Sequence, residues 1–217
     1  MLSKRLDSLV KYVDKKDIVI DVGCDHALLD VYLVKEGILD SIIVSDIHEG
    51  ALKQGIDNIK KNKLSKQIDA RLGNGLEVIR ITDKVNTLLI SGMGTTTILD
   101  ILNNEYINHL DKLIIQSNND HDELRKEVVK LGYKIVAEEY LQDNFKNYIN
   151  IIFEKGEAKY TKDELRFGPF LLKDKEYLQF ELDKIAKIRT FIPTNKISLK
   201  FKLLKDELKL KKYLKKA

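Results

Sequence analysis

A chain of 217 residues, 43% hydrophobic and 33% charged, has room for one α/β domain of roughly 150 residues plus a smaller appendage. No apolar run approaches the roughly 20 residues needed to span a bilayer, and the amino terminus MLSKRLDSLVKYV has neither an uninterrupted apolar stretch nor a small-residue cleavage site. The lone cysteine, Cys24, forms no intramolecular disulfide and no thiolate metal cluster, so membrane, exported and disulfide-stapled classes are set aside and a cytoplasmic protein is expected.

In chain order, a helix carrying Lys4 and Arg5 comes first. Strands are predicted at Ile18 to Val22, Ile42 to Ser45, Ile68 to Leu72, Thr87 to Ser91, Lys112 to Gln116, Lys134 to Glu139 and Tyr148 to Phe153. Helical stretches from Leu28 to Glu36, Glu49 to Asn62 and Asp122 to Leu131 lie between them, with Gly37 and Gly132 as stops. The alternation implies a doubly wound, mostly parallel seven-stranded sheet covered on both faces, an α/β Rossmann-like architecture. The short stretch Tyr140 to Asn147 suits an antiparallel return rather than a crossover. After Phe153, residues 156–161 read as polar linker and Arg166-Phe167-Gly168-Pro169 as punctuation. Two apolar stripes follow, Leu178, Leu182, Ile185 and Ile192, then Ile197, Phe201, Leu204, Leu208 and Leu210. They predict two helices folded back as an antiparallel, coiled-coil-like pair with the stripes face to face.

Charge divides the chain in the same place. Residues 1–158 hold 21 Lys+Arg against 26 Asp+Glu, and residues 159–217 hold 17 against 8. A body over 1–158 with a basic helical domain over 159–217 is therefore expected, the latter either meeting a polyanion or simply presenting a solvated lysine-rich face.

The segment IVIDVGCDHALL from Ile18 to Leu29 combines a buried strand, an acid, a glycine turn and a helix start. In a doubly wound sheet this crevice takes the nucleoside end of a ligand, and glycine lets the backbone come close. Where dinucleotide enzymes place a second glycine for a pyrophosphate, this chain has Asp25. A carboxylate repels pyrophosphate but suits a cationic sulfonium or ammonium, which favours S-adenosyl-L-methionine over NAD. Asp21, Gly23, Asp25 and His26 are thus cofactor-site candidates; His26 could instead contact an acceptor or be a structural histidine. Asp46, followed by Ile47, ends the second strand 23 residues beyond Gly23 and either accepts ribose hydroxyls or caps the next helix. Asn74 and Gly75 after the third strand either meet an adenine edge or make an Asn-Gly turn. Ser91, Gly92 and Met93 end the fourth strand at the switch point, where glycine would border a transferred methyl group. The polar run Gln116-Ser117-Asn118-Asn119-Asp120 could bond a base or be a loop and helix cap. His48, His109 and His121 have no zinc-like spacing and read as surface residues; no metal is expected. No Asn/Asp-Pro-Pro-aromatic clamp, the device for methylating the adenine amino group, occurs.

Together, Asp21-Val22-Gly23-Cys24-Asp25-His26-Ala27-Leu28-Leu29, Gly73-x-Gly75-Leu76, Ser91-Gly92-Met93-Gly94, Gln116-Ser117-Asn118 and Arg166-Phe167-Gly168-Pro169 resemble the bacterial tRNA methyltransferases that modify N1 of adenine 22. The sequence departs from that pattern at Asn74, Thr95 and Ser117, where Asp, Gly and Pro are commoner. The resemblance implies S-adenosyl-L-methionine as donor and tRNA as substrate. Asn118 and His26 are then the candidates for positioning the base. Lys4, Arg5, Arg166, Lys184, Lys187, Arg189 and Lys200 are the candidates for holding RNA phosphates, in a protein expected to act as a monomer. A small-molecule methyltransferase, or a nucleic-acid-binding scaffold with a non-catalytic pocket, are the alternatives.

Overall fold

In the computed structural model, which describes residues 2–193 and 195–217, seven strands form one sheet. They are β1 (Val19–Val22), β2 (Ile42–Asp46), β3 (Ile68–Leu72), β4 (Thr87–Met93), β5 (Lys112–Ser117), β6 (Tyr133–Asp143) and β7 (Lys146–Lys155), in the spatial order β3-β2-β1-β4-β5-β7-β6. The first five are parallel, and β7 inserts antiparallel between β5 and β6. Strand order reverses between β1 and β4, and this switch point opens a crevice beyond their carboxyl ends.

Every residue of β1 and β5 is buried, as unbroken apolar strands require when both faces are covered. Side chains alternate between the two layers. Leu88 and Leu113 belong to one core cluster, while their neighbours Leu89 and Ile114 belong to the other. Helices α1 (Lys4–Val10), α2 (Leu28–Lys35) and α3 (Glu49–Lys61) contribute Leu9, Leu33 and Ile59 to the second cluster; α4 (Thr95–Leu102) and α5 (His121–Lys130) contribute Ile98 and Leu124 to the first. Gly37 and Gly132 follow α2 and α5 with φ of 70° and 88°, the left-handed conformation that ends a helix at little cost for glycine. No helix among the described residues is long and apolar enough to cross a membrane.

Three expectations need correction. The antiparallel return within 140–147 is present but shorter than expected: β6 and β7 continue in register to Asp143 opposite Lys146, leaving only Asn144 and Phe145 in the turn. The stretch read as linker and punctuation contains α6 (Lys162–Phe167), started by a capping box between Thr161 and Glu164, a Thr-x-x-Glu signal present in the sequence. The tail does form two helices packed on each other, α7 (Lys175–Phe191) and α8 (Ile197–Leu214), and Leu178 and Ile185 face inward as expected. In α8, however, Ile197, Phe201, Leu204 and Leu208 are exposed, and Leu203, Asp206 and Leu210 are buried. The apolar residues of α8 are spread around more than one face, so spacing alone left its rotation open. The inward phase is the one that brings Asp206 to Arg166, 2.5 Å away.

The tail shares the core of the sheet: Phe167, Leu171, Leu178 and Leu210 lie in the same cluster as Leu88, Leu113 and Phe153. At the junction, Arg125 of α5 and Glu138 of β6 make an ion pair of 2.6 Å with both side chains out of solvent. Gly168 covers it with φ +94°, and a Cβ there would lie 2.5 Å from Glu138 Oε2 and 2.9 Å from Arg125 Nη2. The Phe170 N–H donates to Glu138 Oε2 at 3.1 Å and Arg125 Nη1 donates to the Arg166 carbonyl at 3.3 Å. The Arg-Phe-Gly-Pro run is therefore the lid of a buried charge pair.

Candidate active site

Beyond the ends of β1, β2 and β4 lies a cleft of about 890 Å³. Its walls include all the sequence candidates for the cofactor site: Asp21, Gly23, Asp25 and His26 from the first turn, Asp46 and Ile47 after β2, Asn74 and Gly75 after β3, and Ser91, Gly92 and Met93 from β4. Asn118 joins them from the β5 end.

The first turn is unusual in its backbone. Gly23, Asp25 and Ala27 have φ of 80°, 49° and 50°, conformations that cost non-glycine residues energy and tend to persist at ligand sites. The loop is braced from outside: the Gly23 and Cys24 N–H groups donate to the Ser45 carbonyl at 2.8 and 3.1 Å, and Asn58 Nδ2 donates to the His26 carbonyl at 2.9 Å. The His26 ring is half exposed, with Nε2 3.6 Å from Asp25.

The cleft floor is acidic. Asp21 and Asp30 are both buried, and neither Asp30 carboxyl oxygen has a hydrogen-bond partner among the described residues. Burial favours the neutral form of a carboxyl, and a second carboxyl close by favours it further. Burial and then the charge of Asp30 raise Asp21 well above the ordinary carboxylate range. Burial likewise lifts Asp30, from 3.8 to about 7. The folded chain thus binds protons here that the unfolded chain releases near pH 4, so this contribution to stability is present at low pH and is lost as pH rises through about 7. Urea melts between those limits should show stability falling with pH, and Asp30→Asn should flatten the profile; an unchanged slope would mean that the pair holds no extra proton. Burial and the nearby carboxylates also raise the Cys24 thiol far above its ordinary value, which keeps it protonated and unreactive.

Asp46 is buried, and its Oδ1 accepts the His48 N–H at 2.8 Å. The N-cap of α3 is His48, without a side-chain cap bond, so Asp46 is not the cap. Asn74 donates Nδ2 to Glu77 Oε1 at 3.2 Å, and Asn118 donates Nδ2 to the Gly92 carbonyl at 2.6 Å. The rest of the polar run divides, with Asn119 and Asp120 exposed. Gln116 and Ser117 are buried; Gln116 Nε2 donates to Asn150 at 2.5 Å, and Asn119 Oδ1 accepts from the Thr95 N–H at 3.0 Å. Two departures from the family pattern meet here: Thr95 Oγ1 and Ser117 Oγ hydrogen-bond to each other at 2.8 Å.

Sequence reasoning missed Asp30, which reads as an ordinary acid in a helix, and Tyr148, which lies at a strand start. It also placed Arg5 wrongly on an outward, phosphate-facing surface with Lys4. Lys4 is exposed, but the Arg5 guanidinium turns inward, donating from Nη1 to Gln116 Oε1 at 3.1 Å and Ser91 Oγ at 3.4 Å, and lying 5.7 Å from the Tyr148 ring centre. It is the one lysine or arginine lining the cleft among the described residues. The other basic candidates divide. Arg166 pairs with Asp206, Arg189 with Glu207 and Lys184 with Glu181, whereas Lys187 is exposed and Lys200 half-buried. Of the histidines expected at the surface, His48 and His109 are exposed and His121 is half-buried. Its Nε2 lies 3.0 Å from the Ser117 carbonyl, and burial followed by the charge of Arg125 lowers its pKa to about 4, leaving the ring neutral.

The family model described as tRNA (adenine(22)-N(1))-methyltransferase matches residues 19–213. The Bacillus subtilis tRNA (adenine(22)-N(1))-methyltransferase is 30% identical over 182 residues, 80% of this chain and 76% of that protein. A Streptococcus pneumoniae protein solved in complex with S-adenosyl-L-methionine superposes with a TM-score of 0.90 at 32% identity, covering 99% of this chain and 100% of that one. Mycoplasma capricolum TrmK, solved with the cofactor product S-adenosyl-homocysteine, superposes with a TM-score of 0.87 at 28% identity over 99% and 98% of the two chains. Strand order, an acid-floored cleft at the switch point and a family match running from β1 into α8 agree, and the chain belongs to the tRNA (adenine(22)-N(1))-methyltransferase family.

Proposed function

We propose that this chain methylates N1 of adenine 22 in tRNA, with S-adenosyl-L-methionine as donor. The observation that carries the reading is the cleft itself, whose carboxylates suit a cationic nucleoside and whose single guanidinium suits that ligand's one carboxylate. When bound, the donor supplies an electrophilic methyl group on a sulfonium. Asp46 accepts the ribose hydroxyls through the oxygen that His48 leaves free, Asn74 meets the adenine edge, Asp25 faces the positive charge, and Asp21 lines the floor beside the donor. Arg5 receives the carboxylate while staying on Gln116. Gly23 lacks the side chain that would fill the space, since a Cβ there would fall on the Met93 methyl.

The acceptor nitrogen already carries an in-plane lone pair, so no general base is needed and the task is alignment. Asn118, tied to the Gly92 carbonyl, and His26 at the opposite lip position the base. The carboxylates below stabilise the positive charge that develops on the adenine ring. N1 lies on the Watson–Crick edge, so the adenine has to leave its stack to enter. Exposed Lys4 and Lys187 and half-buried Lys200 receive RNA phosphates outside the cleft, an interaction weakened by salt. The reading places a single chain at work in the cytoplasm, where its substrate is.

Nucleoside mass spectrometry of tRNA incubated with enzyme and donor should show N1-methyladenosine. Methyl transfer only to small acceptors would make it a small-molecule enzyme, and donor binding without transfer would leave a scaffold; either result rejects the proposal.

A further inference from the structure

The hairpin of β6 and β7 has no part in the cleft below its first residues, yet it is built as a projecting wall. β5 ends opposite Ile149, after which residues 146–148 pair only with β6. The tip therefore stands three residues, or about 10 Å, above the strand ends on the side where the cleft opens. Tyr148 at its base lines that cleft. At its summit is Phe145, 107% exposed. The turn has two residues, Asn144 and Phe145, both left-handed with φ of 48° and 62°. That geometry is the one for which Asn-Gly is preferred, because a bulky side chain is strained there. Below the tip the hairpin is stiff: Asn147 Oδ1 accepts from Tyr140 Oη at 2.7 Å and from Gln142 Nε2 at 2.9 Å. A second cavity of about 650 Å³ on its flank is bordered by Lys146, Asp120 and the Lys184–Glu181 ion pair.

A fully exposed aromatic ring, held at a strained position on a rigid post beside a cleft that must receive an unstacked base, has a chemical use. We infer that Phe145 stacks on RNA, entering the base stack where the target adenine leaves it and so holding the adenine out. The inference rests on the proposed tRNA methylation and adds the residue that opens the substrate. Aromatic–base stacking carries enough energy to offset part of the cost of unstacking.

The test uses the whole protein and four versions of Phe145. Phe145→Ala should lower kcat/KM on tRNA about 10-fold or more, and should abolish the fluorescence rise that binding produces in tRNA carrying 2-aminopurine in place of the target adenine. Melting temperature and affinity for S-adenosyl-L-methionine should stay as in the parent. Phe145→Gly, the residue the turn geometry prefers, should fold at least as stably yet lose as much activity, whereas Phe145→Trp should keep it. With a transcript in which the target adenine faces no complementary base, most of the deficit should disappear. Full activity in Phe145→Gly, or an equal deficit on paired and unpaired substrates, would overturn the inference. Failure of the parent protein to form N1-methyladenosine would instead reject the underlying function.

Discussion

Asp46→Ala is expected to weaken S-adenosyl-L-methionine binding by about 100-fold or more, the largest loss expected from any single substitution in the cleft. Two hydrogen bonds from neutral hydroxyls to a carboxylate are each worth about 1.5–3 kcal/mol, and each 1.4 kcal/mol is about tenfold in affinity. The side chain is already committed to this geometry: it is buried, and the His48 N–H fixes one oxygen. Little ordering entropy is therefore left for the ligand to overcome. Asp46→Asn keeps the shape but not the charge, and turns one of the two acceptor atoms into a donor, so it should fall between the parent and the alanine variant. Titration calorimetry measures the series, with circular dichroism to confirm that each variant folds. A loss in Asp46→Ala smaller than about tenfold would show that the ribose is held elsewhere.

The cleft was legible because its residues are conspicuous at strand ends. Glycine and aspartate are poor strand formers, so Asp21-Val22-Gly23, Ser45-Asp46 and Ser91-Gly92 stand out wherever an apolar run stops. The five parallel strands were equally plain, being continuous β-branched runs. What the sequence hid was direction. Arg5 and Lys4 are neighbours on one short helix, and which of them turns into the cleft is decided by docking: the Arg5 N–H meets Asp143 at 3.0 Å and its guanidinium meets Gln116. Asp30 sits in the apolar run LLDVYL, where spacing tells nothing of a carboxyl partner across the loop. The turn at Asn144 and Phe145 escaped notice because phenylalanine is a strand former, and the rotation of α8 because its apolar residues allow more than one inward face.

The second large effect concerns the joint between body and tail. Arg125→Met should cost about 3–5 kcal/mol, the range for removing one member of a buried ion pair, against a total stability of about 5–15 kcal/mol. Glu138 would remain out of water with only the Phe170 N–H and its neighbour to satisfy it. Burial already works against its charge, and Arg125 is the main force opposing that. Urea unfolding of Arg125→Met, Glu138→Leu and the double variant separates the causes: the double variant should recover most of the loss, since two apolar side chains leave no stranded charge. Equal instability in the single and double variants would mean that packing volume, not charge, holds the joint. The same pair bears on the proposed division at residue 158. A chain cut there would lose Gly168 and Phe170 from above Glu138 and strip Phe167, Leu171 and Leu178 from the core, so we expect residues 1–158 not to fold alone. Loss of tRNA binding after such a deletion would report unfolding rather than contact. Charge reversal at Lys187 and Lys200, which leaves the core intact, is the cleaner measure of what the tail contributes to holding RNA.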